Sequence, residues 1–183
     1  FDVPDDLEKA PSDLAAEDRW ILSEFDDVMG RVQEAWSRID IYTAAQSLKG
    51  FGTGVFPSHW LEMSKSRLYD GDDAAAWTLH RVVRDLLSAL SPICPFFSHY
   101  LSTILYESSA VDVRSFPRLP SGVVGDDADA MRALTPIISE FNSAVWKSKK
   151  DSDISLKSPI SGIVIPSELS ALKDSLVRMH SIE

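Results

Sequence analysis

The sequence predicts a mainly α fold: an antiparallel helical bundle with a small C-terminal α/β appendage. Three observations predict it. Apolar residues recur at three- and four-residue steps from Trp20 to Val145, the spacing of buried helix faces. The segments carrying that spacing are joined by short turn-like stretches. One β-branched run, Ile163-Val164-Ile165, reads as a strand, so the alternation of strands and helices that a dinucleotide-binding fold needs is missing.

A first helix follows from Trp20, Ile21, Phe25, Val28, Val32, Trp36 and Ile39, with Asp18 placed at its positive N-terminal end. A second starts near Ile41 and carries Ala44, Ala45 and Leu48. Gly50, Gly52, Gly54 and Pro57 are expected to break or kink it, because an interior Gly costs about 1 kcal/mol against Ala and an interior Pro about 3. Helical spacing resumes from His59 to Leu68 and ends at Asp70-Gly71-Asp72. In the third helix Leu79, Val83, Leu86, Leu87 and Leu90 line one side, with Thr78, Arg81, Arg84, Asp85 and Ser88 elsewhere on the rod; Pro92 and Pro95 stop it. A short aromatic helix places Phe97, Leu101, Ile104 and Leu105 on one face, and an extended stretch from Val111 to Pro120 follows.

Met131, Leu134, Ile138, Phe141 and Val145 keep helical spacing across Pro136, which predicts either a kink or a restart capped by Thr135. Leu156 to Ile165 is expected to be a strand, and Leu169, Leu172, Leu176 and Met179 a last amphipathic helix. The expected organisation is an acidic connector at 1–17, a bundle at 18–122, and a helix-strand-helix subdomain at 123–183.

The 183 residues carry 18 Lys and Arg against 28 Asp and Glu, a net charge of −10. Eight of those ten negative charges lie in residues 1–30, so the remainder is close to neutral and can still present a basic stripe. One cysteine, Cys94, excludes an internal disulfide and a multi-thiolate zinc site and suits a reducing, cytoplasmic setting. Cys94 and His99 stand five apart across Pro95, and His59 and His80 add no pair with zinc-like spacing, so no metal site is expected. No apolar run reaches the roughly 18 residues of a membrane span, and no membrane partner is expected. The chain opens Phe-Asp-Val-Pro without an initiator Met, which reads as a piece of something longer.

Gly50-Phe51-Gly52-Thr53-Gly54 lacks the preceding strand and following helix of a phosphate cradle, so it is read as a turn or hinge. No Gly-x-Ser-x-Gly elbow is present, and no catalytic residue is assigned. Two basic features remain. Arg81 and Arg84 are three apart on one helix, and Trp146-Lys147-Ser148-Lys149-Lys150 joins three ammonium groups to an aromatic ring, the ingredients of phosphate contact and base stacking. A solvated helix end with lysines facing the negative dipole end accounts for the same five residues.

Several strings together resemble one family. Asp18-Arg19-Trp20-Ile21-Leu22-Ser23 is similar to the opening of the anticodon-binding helical domain of the valyl, isoleucyl and leucyl class I tRNA synthetases. Trp60-Leu61-Glu62-Met63-Ser64-Lys65-Ser66-Arg67-Leu68-Tyr69 resembles that domain's aromatic-Leu-Glu-x-x-Lys-x-Arg-Leu-Tyr segment, and it contains by coincidence most of the Lys-Met-Ser-Lys-Ser signature of the catalytic domain. Leu90-Ser91-Pro92-Ile93-Cys94-Pro95-Phe96 and Val111-Asp112-Val113-Arg114-Ser115-Phe116-Pro117 resemble its helix break and closing stretch, in the family's order. The tail, Lys147 to Lys150 and then Leu156-Lys157-Ser158-Pro159, is similar to valyl enzymes more than to isoleucyl ones.

The departures are Gly50, Gly52, Gly54 and Pro57, Ser98-His99-Tyr100 in place of an acidic pair, Asp112 in place of His, and the lack of the family's first bundle helix. The resemblance implies a tRNA partner met at the anticodon arm by Arg81, Arg84, Trp146, Lys147, Lys149 and Lys150. It also implies catalytic and editing domains elsewhere in a longer chain, with ATP and Mg used there and no cofactor in this piece. A helical protein-interaction module without nucleic-acid binding is the rival reading.

Overall fold

A computed structural model describes residues 1–106 and 115–183. Its helices are α1 (Ala16–Ser37), α2 (Ile41–Gly50), α3 (Leu61–Tyr69), α4 (Asp73–Leu90), α5 (Pro95–Tyr106), α6 (Ala128–Asp151) and α7 (Lys173–His180). A π-helical stretch, Phe51–Trp60, joins α2 to α3, and a 3-10 turn, Ser167–Leu172, precedes α7.

α1 is the central rod, packed against α2, α4 and α6. Trp20, Ile21, Phe25, Val28 and Val32 are buried as their spacing requires. Ile39 is not: the helix stops at Ser37, Ile39 turns left-handed at φ 57°, and its side chain is 80% exposed. At the other end Asp18 accepts from the Ala15 N–H and from Trp60 Nε1, and Arg67 Nη2 lies 2.8 Å from its carboxylate. Arg67 also reaches Glu17 at 3.1 Å and Asp72 at 2.9 Å, so one guanidinium ties α1, α3 and the cap of α4 together. Burial pushes the Asp18 carboxyl up, against the pull of Arg67.

The expected break after Leu48 does not occur. The chain stays helical from Ile41 to Tyr69, and residues 51–60 adopt the wider π turn in place of a kink. Pro57 has no N–H group for either pairing, and the wider π turn carries the rod past it without interruption. The same turn aligns side chains about five apart: Phe51 and Phe56 stack at 5.8 Å, Phe56 and Trp60 at 5.1 Å, and Phe25 of α1 meets Phe51 at 5.4 Å. An α-helix would put residues five apart on different sides.

α4 is buried more widely than its leucine stripe implied. Trp77, Thr78, Arg81, Val82 and Asp85 are buried along with Leu86 and Leu87, whereas Leu79 and Val83 are only partly covered. α5 departs further: it packs against α4, where Tyr106 meets His80, and the residues it buries are Ser98 and Ser102. Most of its predicted inner face is open to solvent, with Phe97 56%, Ile104 58% and Leu105 39% exposed and Leu101 half-buried. Residues 111–114 of the expected extended stretch lie outside the described residues.

α6 runs through Pro136 as a single helix and buries Ile138, Phe141 and Val145 in the same core as α1. Trp20 Nε1 donates to Thr135 Oγ1 at 2.8 Å, fixing the two rods. The predicted strand at Leu156 to Ile165, and with it the α/β character of the appendage, is a correction: among the described residues the segment makes one isolated bridge, Ile160 with Ile182. The Lys149 ammonium takes the carbonyls of Leu156 and Ser158 that a ladder would use, and among the described residues no second strand lies beside the segment. Leu169, Leu172 and Leu176 reach the core, as predicted. Among the described residues no helix is long and apolar enough to cross a membrane.

Candidate nucleic-acid interface

The two basic features of the sequence meet different fates. On α4, Arg81 is buried and held by four hydrogen bonds: Nε donates to Asp85 at 2.8 Å, Nη1 to the Leu7 carbonyl at 2.9 Å and to Glu8 at 2.8 Å, and Nη2 to the Arg118 carbonyl. Arg84 donates to the other Glu8 oxygen at 2.7 Å and lies 3.4 Å from Asp85. Burial acts to raise the Glu8 carboxyl, yet the hydrogen bonds from Arg81 and Arg84 hold it below the usual range. The acidic leader thus clamps this pair, and an anion entering the cleft there would face Glu8 and Asp85 as well. Arg81 is 3% exposed and commits four of its five N–H groups inside the fold, which speaks against its expected part as a phosphate contact.

At the end of α6 the run of lysines divides. Lys149 is fully buried, and its ammonium donates to the carbonyls of Leu156, Ser158 and His180 at 2.8, 2.7 and 2.7 Å. It organises the 154–160 loop, and burial pushes its ammonium below the ordinary lysine range. Its assignment as a phosphate contact is therefore also corrected. Lys147 and Lys150 are exposed, three apart on the last turns of α6, with the half-buried Trp146 beside them.

The indole of Trp146 is held from within. The His59 ring lies nearly parallel to it at 6.1 Å and 13°, and His180 meets it edge-on at 5.8 Å. Asn142 links the two imidazoles, accepting from His180 Nε2 at 2.7 Å and donating to His59 Nδ1 at 2.9 Å. Burial pushes the His59 imidazole below its ordinary value, while burial and the charge of Lys149 push His180 down to about 4. Sequence reasoning gave His180 no role and His59 only a metal test; nothing in their separation signals that α6 would bring them together.

Trp146 and Leu156 form the shared wall of two open clefts. One, about 860 Å³, is bordered by Lys147 and Lys150; the other, about 600 Å³, lies between α3 and α7 beside Lys65, Lys157 and Arg178. The Met63-Ser64-Lys65-Ser66 string sits within α3, where Met63 and Ser64 are buried and Lys65 pairs with Glu62 at 2.6 Å. A helix interior offers no free backbone N–H groups for a nucleotide phosphate, so this string is not an ATP loop.

A helical bundle presenting an aromatic ring among exposed lysines has the form of an RNA-binding module. Residues 18–164 match the model of the anticodon-binding domain of tRNA ligase, and the chain belongs to that family. It is 32% identical to the valine–tRNA ligase of Pyrobaculum aerophilum over 92% of this chain and 22% of the relative. It is 31% identical to that of Nanoarchaeum equitans over 93% and 22%, and 27% identical to that of Saccharolobus solfataricus over 82% and 18%. The chain thus spans about one fifth of the length of these relatives.

Proposed function

We propose that this chain is the tRNA-binding portion of a valyl-type tRNA ligase and that it engages the anticodon arm. In that reading the longer enzyme joins valine to its tRNA in the cytoplasm, with ATP and Mg used in a catalytic domain beyond this piece, and the present residues only position the RNA. The observation that carries the proposal is the family match over 18–164, a span that includes the corner where Trp146, Lys147 and Lys150 remain open to solvent. Those lysines neutralise phosphates, and the indole stacks on an unpaired base. Arg84, tied to Glu8 and Asp85, has at most an auxiliary part.

A salt titration of tRNA binding tests the proposal. The chain is expected to bind valine tRNA weakly, with log affinity falling linearly against log salt. No binding at low salt, or a slope near zero, refutes it. Equal affinity for valine and isoleucine tRNAs leaves RNA binding in place and removes the valyl assignment. The open apolar side of α5 favours a second reading, a protein-docking module, which predicts no RNA binding at any salt concentration.

A further inference from the structure

Among the described residues some cations are ion-paired and others, Lys9, Lys49, Arg118 and Lys173 among them, are not. Arg67, Arg81 and Arg84 are each bound into carboxylates. Among the described residues Lys147, Lys150, Lys157 and Arg178 have no ion-pair partner, and all four border the two clefts that share Trp146. Arg178 spends one N–H group on Ser175 Oγ at 3.3 Å and keeps the rest. Each cleft holds one carboxylate, Asp153 in the first and Glu62 in the second, and Glu62 is already neutralised by Lys65. The balance on both sides of the indole is therefore positive.

Geometry adds a constraint that charge alone does not. The ring is backed by His59 and His180, so its orientation is set before any ligand arrives and little ordering is lost on binding. Each cleft, at about 860 and 600 Å³, lies within the size range of small-ligand sites, which is ample for one nucleotide. A chain with a phosphate at every residue and a base on every sugar matches the repeat of cation, apolar wall, cation. A duplex does not, because its bases are stacked away and cannot enter clefts on either side of one side chain.

We infer that Trp146 is a wedge between two nucleotide subsites, and that the cleft between α3 and α7 is the second subsite, with Lys157 and Arg178 holding the phosphate of an unpaired RNA nucleotide. This rests on the RNA-binding reading above and extends it to residues outside the Trp146 to Lys150 run. The ligand class is a single-stranded RNA loop that passes Trp146, with one nucleotide in each cleft.

The test measures anisotropy of a labelled hairpin carrying the valine anticodon loop, and of its stem as a blunt duplex, against the 183-residue chain. Far-ultraviolet circular dichroism of each variant verifies folding. Lys157→Ala with Arg178→Ala is expected to weaken hairpin binding on the order of tenfold at low salt and to shallow the log–log salt slope by about 1.4, the value for two single-strand phosphates. Lys147→Ala with Lys150→Ala does the same from the first cleft. Trp146→Phe retains an aromatic wall and most of the affinity, whereas Trp146→Leu loses on the order of tenfold or more.

If the Lys147/Lys150 variant weakens binding while the Lys157/Arg178 variant keeps wild-type affinity and slope, the second subsite is overturned and the RNA-binding reading stands. If the wild-type chain binds neither RNA, both fall. If the Lys157/Arg178 variant loses as much affinity for the duplex as for the hairpin, the wedge is overturned in favour of diffuse attraction.

Discussion

Replacing His180 with Gln isolates one titration. Gln keeps an N–H group where His180 Nε2 donates to Asn142 at 2.7 Å, but it cannot take up a proton. In the folded protein His180 is held near 4, against 6.5 when free, so the unfolded chain binds the extra proton first as pH falls. The sign follows: this group's contribution is fully present above about pH 6.5 and is lost as pH drops toward about 4. Going from about pH 7.5 to about pH 5, the two values give a loss on the order of 2 kcal/mol for His180 alone. The physical source is the cost of placing an imidazolium in a dry site beside the Lys149 ammonium, which already donates to the His180 carbonyl. Urea unfolding followed by circular dichroism at the two pH values, on wild type and His180→Gln, measures the difference. The variant is expected to start less stable, having lost the edge contact to Phe141, but to fall less steeply by that amount. His80 titrates in both proteins and cancels, whereas His59 is tied to His180 through Asn142 and is read together with it. Parallel pH dependences in the two proteins refute the assigned burial and the like-charge contact.

Lys149→Met leaves three carbonyls without their donor and is expected to destabilise the fold by about 3 kcal/mol and to speed hydrogen exchange in the 154–160 loop. Wild-type stability with weakened RNA binding would return Lys149 to the interface. Arg67→Met removes the charge facing the fully buried Asp18 and is expected to destabilise by about 3–5 kcal/mol at neutral pH in chemical denaturation. Because Asp18 is already pushed upward, the unpaired carboxyl takes a proton more readily, so that loss shrinks on acidification; a pH-independent loss contradicts this account.

The helices were legible where burial is one-sided. α1 and α6 show their cores as period, because each has one face on the bundle and one in water. α4 hid its arrangement, since Arg81 and Asp85 neutralise each other and count as polar in any pattern while sitting inside. α5 misled in the opposite direction: Phe97, Leu101, Ile104 and Leu105 look like a core face, but the residues the helix buries are Ser98 and Ser102. The strand was inferred from β-branched composition, which does not report whether a partner strand exists. Of the candidate site, Trp146, Lys147 and Lys150 could be found from local sequence. Lys157 and Arg178 could not, because only the fold of the last thirty residues returns them to the same ring.

The π-helical stretch also acts as a gear between the two halves of the long rod. Each α-helical residue advances the side-chain direction by about 100°, and a turn that closes one residue later changes the phase of everything downstream. The side of α3 that carries Lys65 and Tyr69 therefore faces α7 and Trp146 because of the turns counted between Phe51 and Trp60. Glycine and proline at those positions, which on composition alone argue for a break, set a rotational offset that aims a remote surface.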